Sequence, residues 1–261
     1  MHRALFLSDS HLGARGARPD LVLRFLQENR AETLFLVGDI VDNWHPLAAN
    51  WSASHHRVLH HILALAQSGT RVVYIPGNHD AFFRHYAGTT YSGIEVLLET
   101  SYQAADGRRY LVTHGDCCDL FARRAPLLAR LGAMVETSAQ LVDAGQKRLT
   151  RGLGLGDWHG ITRAIDRTNT LIRSRDRFED RLVALAADRG YDGIICGHFH
   201  QAALSQIDGI IYANCGDWVG SNTALVENRN GSLRLIGLGR TPEIEPARYP
   251  TGAEGELTLT Y

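Results

Sequence analysis

The chain has 261 residues, 44% of them hydrophobic and 21% charged, with a formal net charge of −1. A chain of that size and balance buries its own core without staples, and it lacks the global basic field that gathers nucleic acid, so nucleic-acid binding is not expected. No apolar run approaches the ~20 residues of a membrane span, and no basic segment leading into a long apolar stretch marks a signal peptide.

Residues 3–8 read as a strand, followed by an amphipathic helix over 20–29, a strand over 33–37, a helix over 51–67 and a strand over 71–75. This alternation predicts β-α-β units in a parallel sheet covered on both faces. The pattern then changes to strands over 94–99, 102–105 and 109–113, with Asp106-Gly107 as a tight hairpin turn. Residues 120–188 interrupt the strands with helical periodicity: Leu127, Leu131, Val135, Val142 and Leu149 share one face, Trp158, Ile161 and Ile165 a second, Phe178, Leu182 and Leu185 a third. Strands over 194–196, 203–207, 210–213, 223–227 and 233–236 follow, with Asp208-Gly209 as a second hairpin turn. The order fits α/β architecture: a mixed, two-layered sheet sandwich with helices outside. The expected domain is 1–239, with a helical insertion at about 119–188 and a polar, Pro-containing tail at 240–261. The four cysteines, Cys117, Cys118, Cys196 and Cys215, have no zinc-site spacing. They read as reduced thiols, which places the protein in the cytoplasm.

Thirteen histidines are a first hint of metal chemistry. Five polar clusters directly follow predicted strands: Asp9-Ser10-His11, Gly38-Asp39-Ile40-Val41-Asp42, Gly77-Asn78-His79-Asp80, His114-Gly115-Asp116 and Gly197-His198-Phe199-His200. In open α/β sheets the carboxyl ends of the strands form the binding crevice, so side chains distant in sequence gather on one rim. Carboxylate, imidazole and amide oxygen suit divalent Mn, Fe, Zn or Mg, and the absence of Cys from the set argues against a soft-ligand site. Taken singly, Asp9 and Asp39 read as cap or turn residues, Asn78-His79 as loop, and His114 and His198 as ordinary strand-end histidines. Five such clusters in this order make chance a poor account.

The order D-x-H, G-D-x-x-D, G-N-H-D, H-G-D, G-H-x-H resembles the calcineurin-like metallophosphoesterases, over roughly residues 3–236. Within them the chain looks like the UDP-2,3-diacylglucosamine pyrophosphatase branch, through Ser8-Asp9-Ser10-His11-Leu12, Trp44, the insertion after His114-Gly115-Asp116, and Asn214-Cys215-Gly216-Asp217-Trp218-Val219. The resemblance implies a four-layer α/β/β/α sandwich of mixed sheets with a helical lid insertion, and two divalent metal ions, with Mn²⁺ first and Fe, Zn or Mg as alternatives. It implies that Asp9, His11, Asp39 and His200 hold one metal, that Asp39, Asn78, His114 and His198 hold the other, and that Asp39 bridges them. His79 would act as acid or electrostatic stabiliser beside the second metal, with Asp42 fixing its imidazole. That branch usually has Arg where His79 stands and Glu where Asp42 stands, so the general superfamily residues occupy both positions here. The substrate implied is UDP-2,3-diacylglucosamine or a related acylated nucleotide sugar or lipid. The alternative is another phospholipid, nucleotide or nucleic acid phosphodiester handled by the same fold.

Residues 120–181 carry 12 Arg or Lys against 7 Asp or Glu in an almost neutral chain. Arg123, Arg124 and Arg130 flank an apolar face and, with Trp44, are the expected substrate-binding residues. A basic amphipathic lid suits a diphosphate head with acyl chains and a peripheral contact with the anionic inner-membrane surface. The plain alternative is that the apolar face packs on the core and the arginines are solvated.

Overall fold

A computed structural model describes residues 1–44, 51–119 and 178–238. β1 (His2–Leu7), β2 (Ala31–Val37) and β3 (Arg71–Ile75) pair in parallel, Ala4 opposite Thr33 and Thr33 opposite Arg71. The crossovers are α1 (Pro19–Glu28) and α2 (Ala53–Gln67). Pro19 opens α1, where its missing N–H is no loss. The backbone N–H of Ser52, before α2, donates to Nδ1 of His55 at 3.0 Å, His55 standing where a capping box usually has Glu or Gln.

The first sheet runs β12-β11-β1-β2-β3-β5-β4, adding β4 (Thr89–Tyr91), β5 (Ile94–Val96), β11 (Thr223–Glu227) and β12 (Leu233–Gly237). The second runs β6-β7-β8-β10-β9, from β6 (Glu99–Gln103), β7 (Arg109–Thr113), β8 (Gly193–Cys196), β9 (Ala203–Ile207) and β10 (Ile210–Asn214). Both sheets mix parallel and antiparallel pairs.

Side chains alternate across each strand, which explains why the predicted runs are apolar throughout. Ala4, Phe6, Phe35, Val73 and Ile75 point at the second sheet and meet Tyr102, Tyr110, Val112 and Ile195. There Phe6 stacks on Phe35 at 4.7 Å, with Tyr102 edge-on to both. Leu5, Leu7, Leu34, Leu36 and Val72 face outward against Val22, Phe25, Val58 and Ile62 of the helices. On the far side α3 (Phe178–Asp188) lays Phe178, Leu182 and Ala186 on Leu111, Ile194 and Tyr212. The result is the expected α/β/β/α order of layers.

Three details differ from the expectation. The strand expected over 94–99 ends at Val96, and the one expected over 102–105 is β6, Glu99–Gln103. Between them the chain leaves one sheet for the other, and the apolar Leu97-Leu98 hides that break although Leu98 is exposed. β4 was not expected, because an exposed three-residue edge strand has no apolar alternation to reveal it. The proposed insertion is described only at Asp119 and over Phe178–Asp188; the rest of it, with Arg123, Arg124 and Arg130, lies outside the described residues, as does the tail at 240–261. Among the described residues no helix is long and apolar enough to cross a membrane.

Candidate metal centre

Parallel pairing of β1, β2 and β3 puts Asp9, Asp39 and Asn78 just past three neighbouring carboxyl ends. β7 and β8 are also parallel, and they deliver His114 and His198. The loops beyond β1 and β2 continue the pairing: Asp9 N–H donates to Gly38 O at 3.0 Å, His11 N–H to Asp39 O at 2.9 Å, and Leu12 N–H to Ile40 O at 2.8 Å.

Five of the expected ligands sit in left-handed backbone: Asp9 (φ 52), His11 (φ 43), Asp39 (φ 52), His198 (φ 72) and His200 (φ 55). For non-glycine residues this costs about 1–3 kcal/mol each and persists only where surrounding structure imposes it. The cross-loop bonds do so here. Two glycines make the crowding tolerable. A Cβ on Gly38 (φ +83) would strike the His114 imidazole, and one on Gly197 would strike Ser8 Oγ and the Asp9 carboxylate.

The side chains converge in adjoining groups: Asp9, His11 and His200; His11, Asp39 and His79; Asp39, His114 and His198. Asp9 is wholly buried. Its Oδ2 accepts from Ser8 Oγ and from the His198 N–H at 3.0 Å. Among the described residues its Oδ1 has no hydrogen-bond donor; Nε2 of His200 lies 3.2 Å away and Nε2 of His11 3.7 Å. Those two nitrogens face each other at 3.1 Å. In the next group Oδ2 of Asp39 is 3.3 Å from Nε2 of His114 and 4.0 Å from Nε2 of His11. Oδ1 of Asn78 is 3.2 Å from the same His114 nitrogen. Nδ1 of His114 donates to Val37 O at 2.9 Å, so Nε2 is the nitrogen that faces inward.

A buried acceptor with no donor among the described residues, ringed by imidazole nitrogens that face one another, has the chemistry to hold a cation. The electrostatics agree. Burial alone would lower His11 and His200; carboxylates outweigh it and push them up to about 10 (Asp42, Asp9, Asp39) and about 9 (Asp9, Asp217). Burial alone would raise Asp39; the surrounding imidazoles, His114 foremost, hold it well below the carboxylate range. The cluster favours positive charge where protons or metal ions compete for the same atoms. The donor set therefore fits divalent metal ions.

His79 lies at the edge of this centre. Its N–H donates to Oδ1 of Asp39 at 2.8 Å, and its Nδ1 is 3.1 Å from Oδ2 of Asp42. Trp44 stacks on its ring at 3.8 Å and 19°, and the indole N–H donates to Asn78 O at 3.0 Å.

Sequence reasoning assigned no role to Asp80, Asp119 or Asp217. The Asp80 carboxylate accepts the backbone N–H groups of Asp39, Ile40, Val41 and Gly77, and the Tyr74 hydroxyl at 2.5 Å, so it pins the Asp39 loop to the Asn78 loop. Asp119 Oδ2 is 2.8 Å from Nε2 of His198, and Asp217 Oδ2 is 3.2 Å from Nδ1 of His200. Asp80 and Asp217 lie inside recognisable motifs; Asp119 carries no local signal, because its partner is distant in sequence.

Residues 2–202 match the family model described as calcineurin-like phosphoesterase. A UDP-2,3-diacylglucosamine hydrolase of Pseudomonas paraeruginosa is 28% identical over 242 residues, covering 87% of this chain and 95% of that protein. The enzyme of the same description from Histophilus somni is 34% identical over 127 residues, 46% of this chain and 52% of its own length. That from Escherichia coli O6:H1 is 33% identical over 128 residues, 44% and 49% respectively.

Proposed function

This chain belongs to the calcineurin-like phosphoesterase family and is a phosphate-ester hydrolase, and we propose that it uses two divalent cations to cleave the pyrophosphate of UDP-2,3-diacylglucosamine or a related acylated nucleotide sugar. The observation that carries the two-cation reading is Asp39, whose one oxygen, Oδ2, faces His114 of one group and His11 of the other. In this reading Asp9, His11, Asp39 and His200 hold one cation, and Asp39, Asn78, His114 and His198 the other. Mn²⁺ is the cation assigned, and Fe, Zn and Mg are others that this donor set accepts. When bound, such a pair supplies a water-derived nucleophile at neutral pH and neutralises charge on the phosphoryl oxygens.

The remaining work falls to side chains. An ionised Asp42 can only accept, so the 3.1 Å contact assigns a proton to Nδ1 of His79. In the protonated ring Nε2 carries the second proton, and it is left to stabilise charge at the leaving oxygen or to hand that proton over, leaving a neutral imidazole. Trp44 lies flat against that imidazole and limits its tilt.

The substrate reading is supported by the relative from Pseudomonas paraeruginosa, named for hydrolysis of UDP-2,3-diacylglucosamine and matched over 87% of this chain. Exposed Phe82 and Tyr86, on the 3-10 turn Ala81–Tyr86 just after His79, offer apolar surface for acyl chains. In this reading Arg123, Arg124 and Arg130 serve the diphosphate and a peripheral contact with the anionic inner-membrane surface, with the enzyme on the cytoplasmic side. The His79 and Asp42 positions, which differ from the usual Arg and Glu of that branch, favour a second reading in which the same centre acts on another phosphodiester.

Purified protein incubated with UDP-2,3-diacylglucosamine and Mn²⁺, with products followed by mass spectrometry, separates the two. Release of UMP and the acylated sugar phosphate is expected. Turnover of other phosphodiesters with none of this substrate would overturn the substrate and leave the chemistry.

A further inference from the structure

The turn between β10 and β11 touches the metal centre twice. Trp218 N–H donates to the carbonyl of Asp9 at 3.0 Å. One residue earlier, the buried carboxylate of Asp217 lies 3.2 Å from Nδ1 of His200. Asp217 is itself held. Its Oδ1 accepts from Ser221 N–H at 2.6 Å and from Ser221 Oγ at 2.7 Å, and its Oδ2 accepts from Gly220 N–H at 3.2 Å. Ser221 Oγ is 2.9 Å from Thr223 Oγ1, which donates to Cys215 O at 2.9 Å. The other end of the turn is anchored by Trp218, fully buried and packed on Phe25 at 4.7 Å.

We infer that Asp217 is a positioning residue of the metal centre: its carboxylate keeps the His200 proton on Nδ1 and so aims the Nε2 lone pair at the Asp9 and His11 side of the site. An ionised carboxylate has no proton to give, so at this contact Nδ1 must be the donor. Nε2 of His200 is then the nitrogen for which proton and metal ion compete, and it is the one 3.2 Å from Asp9 Oδ1 and 3.1 Å from His11 Nε2. The His200 side chain is 33% exposed; without Asp217, water competes for Nδ1 and the ring can turn. His114 shows the same arrangement with a backbone acceptor, Val37 O, at its Nδ1. Held outer nitrogens of this kind typically contribute 10- to 100-fold in metal affinity. The role also explains why Asp217 sits on a turn braced at both ends: a carboxylate that aims another side chain is useful only if it is itself immobile.

The inference rests on the two-cation reading, and the test keeps the two apart. Metal-free protein is titrated with Co²⁺ against a competing chelator, and the visible Co²⁺ spectrum is recorded. The parent should take up two equivalents; if it takes up none, the metal reading itself fails. Asp217→Ala should bind one equivalent about 10- to 100-fold more weakly, with an altered spectrum, and the other as in the parent. Asp217→Asn should also lose affinity, because both carboxylate oxygens accept from N–H groups and the amide NH2 must face either Ser221 N–H or Nδ1 of His200. Val72→Ala opens a cavity at the start of β3, the end of the strand away from the rim, so it should lower Tm and leave both affinities unchanged. Parent-like binding by Asp217→Ala, or an equal affinity loss in Val72→Ala, overturns the inference. If Asp217→Ala does not fold, Asp217→Glu decides: the longer side chain displaces the carboxylate from Nδ1, and parent affinity at both sites overturns the role.

Discussion

Oδ2 of Asp42 lies 3.1 Å from Nδ1 of His79, and the same oxygen lies 3.2 Å from Nδ1 of His11. One carboxylate oxygen thus braces both the proposed acid and a proposed metal ligand. Burial alone would raise the Asp42 carboxyl, but the two imidazoles outweigh it and hold the group well below the carboxylate range.

The two partners of that oxygen should therefore separate on mutation. His79→Ala should keep both metals and lower kcat by about 10²- to 10⁴-fold, the span of a lost acid-base group. The loss should shrink for nitrophenyl substrates, whose leaving group needs no proton. Asp42→Ala should lose rate and also bind metal more weakly, because His11 loses its brace together with His79. Metal analysis beside steady-state kinetics distinguishes them, and loss of metal from His79→Ala would show that His79 is a ligand.

Asp39 faces both groups through Oδ2. Asp39→Ala should lose metal and turnover together, and chelation of the parent should abolish activity. Full metal occupancy in the Asp39 variant, measured by elemental analysis, would sink its bridging role.

Gly38 has φ +83, and a Cβ there would run into the His114 ring. Gly38→Ala should destabilise the fold by at least about 1–2 kcal/mol from the left-handed backbone alone, and should push His114 from its place. Both a lower Tm and reduced metal uptake are expected. A variant with parent Tm would mean that the loop relaxes freely and that the left-handed cluster is not imposed by its surroundings.

The strands were legible because both sheet faces are buried, so Leu5-Phe6-Leu7 and Thr33 to Val37 are nearly continuous apolar runs. Parallel pairing then brings the polar residues that follow them to one rim, so the meeting of Asp9, Asp39 and Asn78 could be read from order alone. Contacts across the rim could not. Nothing near Asp119 reveals that it reaches His198, and nothing near Asp42 that it reaches His11 as well as His79. Backbone shape was equally hidden, since Asp9, His11 and Asp39 adopt a left-handed conformation that is uncommon outside glycine even for Asp and His. The break at Leu97-Leu98 failed for the opposite reason: an apolar dipeptide crossing between sheets resembles the strands it joins.

Trp44 was expected to bind substrate, and it lies stacked on His79 at 3.8 Å with its indole N–H on Asn78 O. The two roles predict different kinetics. If Trp44 mainly flattens and aims the imidazole, its removal acts on the proton-handling step. A stacked aromatic pair contributes about 0.5–1.5 kcal/mol, so Trp44→Ala should lower kcat by roughly 2- to 12-fold with little change in KM. Trp44→Phe keeps a ring against His79 but loses the N–H, and should fall between Ala and the parent. Both variants should keep two metals, since Asn78 offers its side-chain oxygen to the centre and only its backbone carbonyl to Trp44. Combining Trp44→Ala with His79→Ala should add little further loss in kcat, because the imidazole that Trp44 serves is already gone. If Trp44 instead contacts substrate directly, KM rises, kcat holds, and the double variant shows the two losses multiplied. The double variant is the sharper measurement, because it asks whether Trp44 has any function once His79 is absent.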